Sequence, residues 1–329
     1  MPALSLADAH AWVTGIFLAH GAHPVAAHSV ARALVAAEAD GLKGHGLTRI
    51  PSYVAMLKSG KVDGKAVPVL HTPKPAVVRI DAACGFAYPA IDLACEALPG
   101  RARAHGIAFG AVTRSSHAGA AGHHVERLAS QGLVALFFAN TPGAMAPWGG
   151  TKPVFGTNPI AFAAPLAGRP PIVVDLAMSK VARANIVAAK QAGKTIPEGW
   201  ALDAAGQDTT DPDAALAGTM VPMGNAKGAA LALMVEVLVA ALAGSHLAFE
   251  ASSFLDAKGP PPETGQSLIV IDPESLGHGS FAGTMTRLAG AIESQPGARL
   301  PGQRRLALRA AAVTNGLEIA APLVAQFGI

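Results

Sequence analysis

The sequence is poor in charged residues, in aromatic residues and in cysteine. Charged residues make up 14% of its 329 positions and aromatic ones 5%, and the two cysteines are Cys84 and Cys95. Two cysteines form neither a disulfide framework nor a metal site, so we expect a reducing, cytoplasmic compartment. The 25 basic and 22 acidic residues leave a net charge of +3 and do not gather into a nucleic-acid-binding surface.

Long apolar segments and export signals are scarce as well. Residues 226–244 are almost wholly apolar but contain Lys227 and Glu236, so we predict a buried helix and no membrane span. The first residues lack the basic and apolar regions of a secretion signal, and we expect none. Hydrophobic residues make up 51% of the chain, which predicts a compact globule. The low charge suits burial in an oligomer, although a high alanine content would lower it equally.

Several signatures of catalysis and nucleotide binding are missing. No strand leads into Gly-x-Gly-x-x-Gly and a helix, so the usual dinucleotide fingerprint is absent. Neither a serine-nucleophile elbow nor a Walker lysine loop occurs. His117, His123 and His124 have no carboxylate or cysteine at ligand spacing nearby, so we expect no metal site.

Residues 114–159 are instead crowded with glycine, serine, threonine and histidine between two apolar runs. Small residues let the backbone approach a flat, phosphate-bearing ligand, and free N–H groups can bind its phosphates. The composition therefore indicates either a cofactor site or a series of ordinary turns, because the same residues are turn formers.

Hydrophobic periodicity predicts a mixed α/β fold. Helical spacing or helix signals cover residues 5–19, 24–40, 47–58, 88–105, 120–131, 179–192, 226–243 and 282–293, with a final helix from Gln303. Apolar runs typical of strands cover residues 67–70, 76–80, 106–113, 133–138, 160–164, 172–176 and 268–271. No repeat or long linker divides the chain.

His45 and Arg49 are four residues apart beside a predicted helix start. If the helix begins by His45, both side chains lie on one face. Histidine can donate a proton near neutral pH, and arginine can bind a carboxylate through two hydrogen bonds. The pair suits an acidic substrate with a reducible carbon, or else it is a surface histidine and a solvated arginine.

Three further segments could contact a ligand. Asp175 ends an apolar strand, where it could accept hydrogen bonds from backbone amides or a ribose, or cap the next helix. Lys227 could reach a phosphate or simply extend into solvent. The three arginines of residues 299–305 surround a Pro-Gly turn, which suits a phosphate site or an exposed basic helix start.

Several motifs in this order resemble those of the malate/L-lactate dehydrogenase-like family of NAD(P)-dependent oxidoreductases, which is unrelated to Rossmann dehydrogenases. They are residues 44–53 (GHGLTRIPSY), 116–122 (SHAGAAG), 156–160 (GTNPI), 175–179 (DLAMS), 196–200 (IPEGW), 209–212 (TTDP) and 227–228 (KG). Residues 259–265 (GPPPETG) and 299–305 (RLPGQRR) resemble the family's reductases of cyclic imino acids, Δ1-piperideine-2-carboxylate and Δ1-pyrroline-2-carboxylate.

The resemblance implies a non-Rossmann α/β fold and a homodimer. Its regions would be residues 1–66, helical and carrying substrate residues; residues 67–112 with 290–329, a central substrate and dimer domain; and residues 113–289, an NADPH-binding domain. It also implies a small cyclic imino acid as substrate, with NADPH as cofactor and NADH as a possible substitute. The alternatives are a 2-keto or 2-hydroxy acid dehydrogenase of malate, lactate or ureidoglycolate type, and a non-catalytic binding protein.

The resemblance also implies roles for individual residues. His45 would be the proton donor, and Arg49 and Thr157 would hold the substrate carboxylate. The expected cofactor residues are His117, Ala118, Gly119, Ala120, Ala121, Asp175, Leu176, Ala177, Lys227, Gly228, Arg299, Leu300, Pro301, Gly302, Gln303, Arg304 and Arg305. The arginines suit the 2′-phosphate of NADPH, whose negative charges need partners.

Two residues depart from the family pattern. The family usually has a serine before the active histidine and an aspartate after the Asp175 motif, which together orient the imidazole; here they are Gly44 and Asn185. Neither replaces the hydrogen bond and charge that are lost. Hydride addition to a ketone builds alkoxide charge that needs an acid, whereas an iminium is already positive. We therefore expect this site to favour imine reduction.

Overall fold

The computed structural model describes residues 3–277 and 279–329; Met1, Pro2 and His278 lie outside the described residues. The helices are α1 Leu6–Ala19, α2 Pro24–Ala39, α3 Ile50–Ser59, α4 Ala87–His105, α5 Ala121–Ala129, α6 Arg183–Gln191, α7 Pro212–Ala217, α8 Ala226–Glu236, α9 Glu274–Gly277, α10 Phe281–Glu293, α11 Gln303–Asn315 and α12 Ala321–Phe327. The strands are β1 Ala3–Leu4, β2 Val69–Lys74, β3 Val77–Asp81, β4 Ile107–Ser115, β5 Val134–Ala139, β6 Ile160–Leu166, β7 Arg169–Leu176, β8 Ala201–Leu202, β9 Thr219–Met220, β10 Thr264–Ile271 and β11 Leu317–Glu318.

Seven strands form a central mixed sheet in the order β2-β3-β4-β10-β5-β6-β7. The pair β3–β4 is parallel, and the other neighbouring pairs are antiparallel. The late strand β10 lies in the middle, where Leu268 is opposite Gly110 on one side and Phe137 on the other. The predicted mixed α/β class is confirmed.

The main core lies where α4 and α5 pack on this sheet. Its members include Ile80, Ile91, Leu98, Leu128 and Phe137, each fully buried. Burial of a large aliphatic or aromatic side chain contributes about 1.5–3 kcal/mol, so these contacts fix the helices on the sheet. As a result, the N-terminus of α5 meets the end of β7.

A second core joins the two ends of the chain. Helices α1, α2 and α3 pack with the C-terminal residues Leu317 and Leu323, and β1 pairs with β11. A third, smaller core surrounds Met145, Met178 and Met220. The segment before α3 lies close to the segment after β7, since a Cβ on Gly44 would be 3.9 Å from that of Ala184.

Most predicted elements are present, with differences at their ends. The helix predicted over residues 47–58 begins only at Ile50, because Pro51 in its first turn lacks the N–H that a longer helix requires. The helix predicted over residues 179–192 begins at Arg183. The helix from Gln303 is confirmed, but α12 follows it.

The apolar segment predicted as one helix over residues 226–243 is interrupted. Helix α8 ends at Glu236, and Val237–Ala241 form a π-helical turn. The hydroxyl of Ser267 donates to the carbonyl of Leu238 at 2.8 Å, and a Cβ on Gly265 would overlap the carbonyl of Val239. Close contact with β10 therefore accompanies the wider turn.

Strand β4 spans the boundary predicted at residue 112, and the seven-stranded sheet combines strands from both sides of it. The division of the chain into three regions remains a proposal. No helix within the described part of the chain is long and apolar enough to cross a membrane.

Candidate active site

His45 and Arg49 lie on two successive 3-10 turns, Lys43–His45 and Leu47–Arg49, between α2 and α3. Helix α3 begins only at Ile50, so the condition for a shared helix face, a helix that begins by His45, is not met. Gly46 separates the turns, and a Cβ there would overlap the carboxylate of Glu38. Arg49 Nε donates to the carbonyl of Gly44 at 2.7 Å, which holds the guanidinium beside the turn that carries His45.

The ring of His45 is partly exposed and stacks on His117, with ring centroids 5.3 Å apart and planes 12° apart. Its Nδ1 is buried and has no hydrogen-bond partner among the described residues. Burial, together with the charges of Arg49 and His123, lowers the pKa of His45 to about 4. The imidazole is therefore neutral near pH 7 in the free protein.

The first turn of α6 lies next to this histidine turn. A Cβ on Gly44 would lie 3.9 Å from the Cβ of Ala184, so a side chain fits there. Asn185 follows Ala184, but its side chain is exposed and makes no hydrogen bond to His45. The segments that carry Gly44 and Asn185 therefore lie close together, but Asn185 forms no hydrogen bond with the imidazole of His45. The catalytic role of Asn185 stays a prediction.

Thr157 lies partly exposed on the turn before β6. Its backbone N–H donates to the hydroxyl oxygen of Thr141 at 2.9 Å, and the two threonine hydroxyls are 3.2 Å apart. At Gly156 a Cβ would overlap the backbone of Thr141. The close approach of these two segments requires glycine before Thr157 and fixes the direction of its hydroxyl.

A buried carboxylate supports the same turn. Asn158, fully buried with φ 37°, donates through Nδ2 to Glu236 Oε1 at 2.7 Å. The other oxygen of Glu236 accepts from the N–H of Ala248 at 3.1 Å and from Nδ2 of Asn140 at 3.3 Å. Burial raises the pKa of Glu236. Sequence reasoning noted this charge in an apolar run but missed its partners.

His117 begins the glycine-rich loop that precedes α5. Its Nδ1 lies 2.5 Å from the hydroxyl oxygen of Tyr53, which lies 2.9 Å from that of Tyr88. Gly119 has φ 69°, and a Cβ there would lie 2.7 Å from the Tyr88 oxygen. Sequence reasoning missed both tyrosines; the one available signal was that the chain has no others.

The loop leads into α5, which meets Asp175 at the end of β7. The N–H of Gly122 donates to Asp175 Oδ2 at 2.7 Å, which confirms that this strand-end carboxylate accepts a backbone amide. The buried alanines of the loop are Ala118, Ala120 and Ala121. Leu176 is exposed and Ala177 partly so. The segment after Asp175 therefore forms an open surface beside the start of α5.

Backbone hydrogen bonds connect this surface with Thr157 and with α8. Met178 N–H donates to the carbonyl of Thr157 at 2.7 Å, and Met223 N–H donates to the carbonyl of Met178 at 2.8 Å. A Cβ on Gly228 would overlap the carbonyl of Met223. Lys227 is exposed in the first turn of α8 and has no anionic partner within the described residues.

The turn with the three arginines has two different faces. Leu300 is buried, and Gly302, with φ 90°, precedes α11. Arg305 pairs with Glu126 at 3.1 Å and with Asp40 at 3.5 Å. The other members are exposed or partly exposed: Arg299, Pro301, Gln303 and Arg304. Neither Arg299 nor Arg304 forms an ion pair in the described part of the chain, so these two remain available to a phosphate.

A buried lysine supports the wall behind His117. Lys61 is completely buried, and burial lowers its pKa. Its Nζ donates at 2.6, 3.1 and 2.6 Å to the carbonyls of Ser253, Asp256 and Lys258. Phe254 of the same loop packs against His117, with ring centroids 5.3 Å apart. Lys61 thereby fixes the loop that closes this side of the site.

His123 and His124, at which the sequence predicts no metal site, both have protein partners. His123 Nε2 lies 2.7 Å from Asp40 Oδ2, and His124 Nε2 lies 2.8 Å from the carbonyl of Ala118. Within residues 3–277 and 279–329, no group of three histidine, cysteine or carboxylate side chains could hold a metal ion.

The sequence between residues 4 and 327 matches the family model described as malate/L-lactate dehydrogenase. The chain belongs to this family. Its relatives include dehydrogenases and reductases, and the protein is accordingly a nicotinamide-dependent oxidoreductase. The family assignment confirms the resemblance that its motifs indicated.

Individual relatives differ in the substrate that their names give. The chain is 49% identical to a (2R)-3-sulfolactate dehydrogenase (NADP(+)) from Chromohalobacter salexigens, over 93% of this chain and 91% of the relative. It is 43% identical to a Δ1-pyrroline-2-carboxylate/Δ1-piperideine-2-carboxylate reductase from Pseudomonas putida, over 92% and 89%. The crystal structure of the Δ1-piperideine-2-carboxylate reductase from Pseudomonas syringae superposes with a TM-score of 0.95 at 40% identity, over 100% and 99%.

Proposed function

We propose that this malate/L-lactate dehydrogenase family member uses NADPH to reduce Δ1-pyrroline-2-carboxylate or Δ1-piperideine-2-carboxylate, giving L-proline or L-pipecolate. Relatives named as reductases of these compounds support the substrate class. The observation that carries the proposal is the environment of His45, whose pKa is lowered to about 4 and whose Nδ1 lacks a partner among the described residues.

Imines and ketones make different demands on such a histidine. Hydride addition to a ketone builds an alkoxide, which takes a proton from a positioned acid. Hydride addition to the carbon of a protonated imine gives a neutral amine and needs no proton from a side chain. Because His45 is neutral near pH 7 and no described anion stabilises its imidazolium, the pocket suits the imine better.

We assign Arg49 and Thr157 to the substrate carboxylate. A guanidinium can bind a carboxylate through two parallel hydrogen bonds, and the threonine hydroxyl can add a third. The charge of Arg49 contributes to the lowered pKa of His45. A bound carboxylate offsets that charge, so we expect substrate binding to raise the pKa of His45.

The residues assigned to NADPH fit such a ligand. Lys227, Arg299 and Arg304 are exposed cations without anionic partners in the described structure, as a phosphate-binding surface requires. At Gly228 the backbone of Met223 leaves no space for a Cβ, so the start of α8 packs directly against the turn that precedes it. When bound, NADPH supplies the hydride. NADH remains a possible substitute, with the arginines favouring the 2′-phosphate.

A substrate panel tests the proposal. Purified protein is assayed with both cyclic imino acids, pyruvate, oxaloacetate and 3-sulfopyruvate, each with NADPH and with NADH, by the loss of nicotinamide absorbance. We expect kcat/KM to be at least about tenfold higher for an imino acid than for any oxo acid. Faster reduction of an oxo acid would reject the proposal.

The second candidate is a 2-hydroxy acid dehydrogenase acting on a substrate with two anionic groups, such as 3-sulfolactate. The 49% identical relative bears that name. Arg183, which adjoins the Ala184 contact with Gly44, is a half-buried cation whose Nε lacks a partner and whose pKa is lowered by burial. A sulfonate would satisfy such a guanidinium. The 3-sulfopyruvate arm of the panel decides between the candidates.

We further propose that the enzyme acts as a homodimer in the cytoplasm. In this proposal residues 1–66 carry substrate residues, residues 67–112 with 290–329 form the central domain, and residues 113–289 bind NADPH. Light scattering of the purified protein tests the dimer. The family membership favours an enzyme over the alternative of a non-catalytic binding protein.

A further inference from the structure

Both tyrosines of the sequence meet in one buried chain of hydrogen bonds that ends on His117. The hydroxyl oxygen of Tyr53 lies 2.5 Å from His117 Nδ1 and 2.9 Å from the hydroxyl oxygen of Tyr88. The ring of His117 in turn stacks on His45. A buried polar chain therefore lies directly behind His45, the residue that the family resemblance makes the proton donor.

The hydrogen atoms of this chain can be ordered in two ways. In the first, Tyr88 donates to Tyr53 and Tyr53 donates to Nδ1, so both hydroxyls have acceptors and His117 carries its proton on Nε2, which is not one of the fully buried polar atoms without a partner. In the second, Nδ1–H donates to Tyr53 and Tyr53 donates to Tyr88. The hydroxyl of Tyr88 is then left without an acceptor among the described residues. A buried donor without an acceptor is strongly unfavourable, so the first order prevails.

The surroundings keep all three groups uncharged. Burial raises the pKa of both tyrosines and lowers that of His117 well below its ordinary value. The charge of Arg49 and the neighbouring His45 lower the pKa of His117 further. Because His117 stays neutral, His45 can take up a proton without a second imidazolium beside it.

We propose that Tyr53 is a positioning residue that fixes His117 as the Nε2–H tautomer, and that this N–H donates a hydrogen bond to the bound substrate, a role different from the cofactor contact that the family resemblance implies for His117. Nε2 makes no hydrogen bond with any described residue, so it is free for a ligand. Tyr88 donates to the hydroxyl oxygen of Tyr53 in this order but is not needed for the hydrogen bond from Tyr53 to Nδ1. The inference rests on the proposed function in taking the space beside His45 as the substrate site.

Nitrogen NMR of the ligand-free protein labelled with ¹⁵N-histidine tests the tautomer without any substrate. His117→Asn identifies the signals. We expect an unprotonated Nδ1 and a protonated Nε2 for His117 in the unmodified protein. Tyr53→Phe removes the donor to Nδ1 and should shift these signals towards a mixture of tautomers. A protonated Nδ1 in the unmodified protein, or unchanged signals in Tyr53→Phe, would overturn the proposal.

Kinetics with the best substrate of the panel test the consequence. Tyr53→Phe should lower kcat/KM by about ten- to hundredfold without changing the KM for NADPH. Tyr88→Phe is the matched control; it leaves the hydroxyl of Tyr53 free to donate to Nδ1, and its loss should stay within about threefold. Both changes keep the aromatic packing, in which the Tyr53 ring lies 6.4 Å from Phe17 and 5.4 Å from Phe86.

Equal losses in the two variants, or no loss in Tyr53→Phe, would contradict the positioning role. Thermal unfolding of both variants is compared with the unmodified protein, because a loss that follows stability alone would also contradict it. If no compound of the panel is reduced, the proposed function fails, whereas the NMR result still decides the tautomer. The two failures are therefore distinguishable.

Discussion

Asp40 and Arg309 form an ion pair with two parallel hydrogen bonds, although 269 positions separate them in the chain. Nε donates to Oδ1 and Nη2 donates to Oδ2, both at 2.7 Å. The side chain of Asp40 is completely buried, and His123 contacts the same carboxylate. Because Asp40 ends α2 and Arg309 belongs to α11, the pair fixes the C-terminal helix beside the segment that leads to His45.

This ion pair predicts acid sensitivity. Hydrogen bonds and charges from Arg309 and His123 outweigh burial and lower the pKa of Asp40 from 3.8 to about 2. Since ionised Asp40 favours the folded state, its contribution of about 2 kcal/mol is complete above pH 4 and is lost as the pH falls through 2. Urea unfolding at pH 7 and at pH 3 measures this loss. Asp40→Asn should be less stable at pH 7, and its free energy of unfolding should differ less between pH 7 and pH 3 than that of the unmodified protein. An unchanged difference between the two pH values would contradict the assignment.

Arg49 provides the sharpest test of substrate binding. Arg49→Met removes the guanidinium and should raise KM for the imino acid by about a hundredfold, because a charge-assisted pair to the carboxylate is lost. The KM for NADPH should not change. Arg79→Met, which removes an exposed arginine on β3, is the matched control. Full activity of Arg49→Met would remove the basis of the proposed pocket.

Introducing the serine and the aspartate that the family usually has at positions 44 and 185 should change the substrate preference. Gly44 has space for a side chain, so the double variant Gly44→Ser, Asn185→Asp can supply a hydrogen bond and a negative charge near His45. We expect oxo-acid reduction to rise by about tenfold or more, with a smaller change for the imino acid. Rates on pyruvate and on Δ1-pyrroline-2-carboxylate give the ratio. Unchanged or lower rates on both would mean that the missing groups do not limit this site.

We expect the exposed Arg304 to contribute to a preference for NADPH over NADH. Arg304→Ala should raise KM for NADPH by about tenfold while that for NADH stays constant, because NADPH alone carries the 2′-phosphate. Arg103→Ala, on the surface of α4, controls for a general loss of positive charge. An equal rise in the KM for NADPH and for NADH would mean that Arg304 does not contact the 2′-phosphate.

The sequence predicts the elements of the fold because each depends on local patterns. Alternating or continuous apolar residues indicate β3, β5 and β10, and the motif around Asp175 indicates a carboxylate at a strand end. The family motifs also identify His45 and Arg49 as neighbours. The helix face expected for this pair is absent because Gly46 and Pro51 impose two short turns, a local conflict that periodicity does not show.

The contacts that support the site could not be predicted in the same way. Asp40 and Arg309, Tyr53 and His117, and Glu236 and Asn158 are pairs of residues distant in the chain, whose partners depend on how the helices pack on the sheet. In the sequence these residues appear only as a single tyrosine, such as Tyr53, or as a charge in an apolar run, such as Glu236. Neither signal identifies the residue that it contacts.

The ammonium group of Lys61, shared among three carbonyls of residues 253–258, makes one wall of the pocket stiff. If the proposed cyclic imino acids are the substrates, adaptation to a five- or a six-membered ring falls to α6 beside Gly44, where Ile186 is the one buried residue of the helix. On that proposal, directed evolution for bulkier molecules should accumulate changes in this helix.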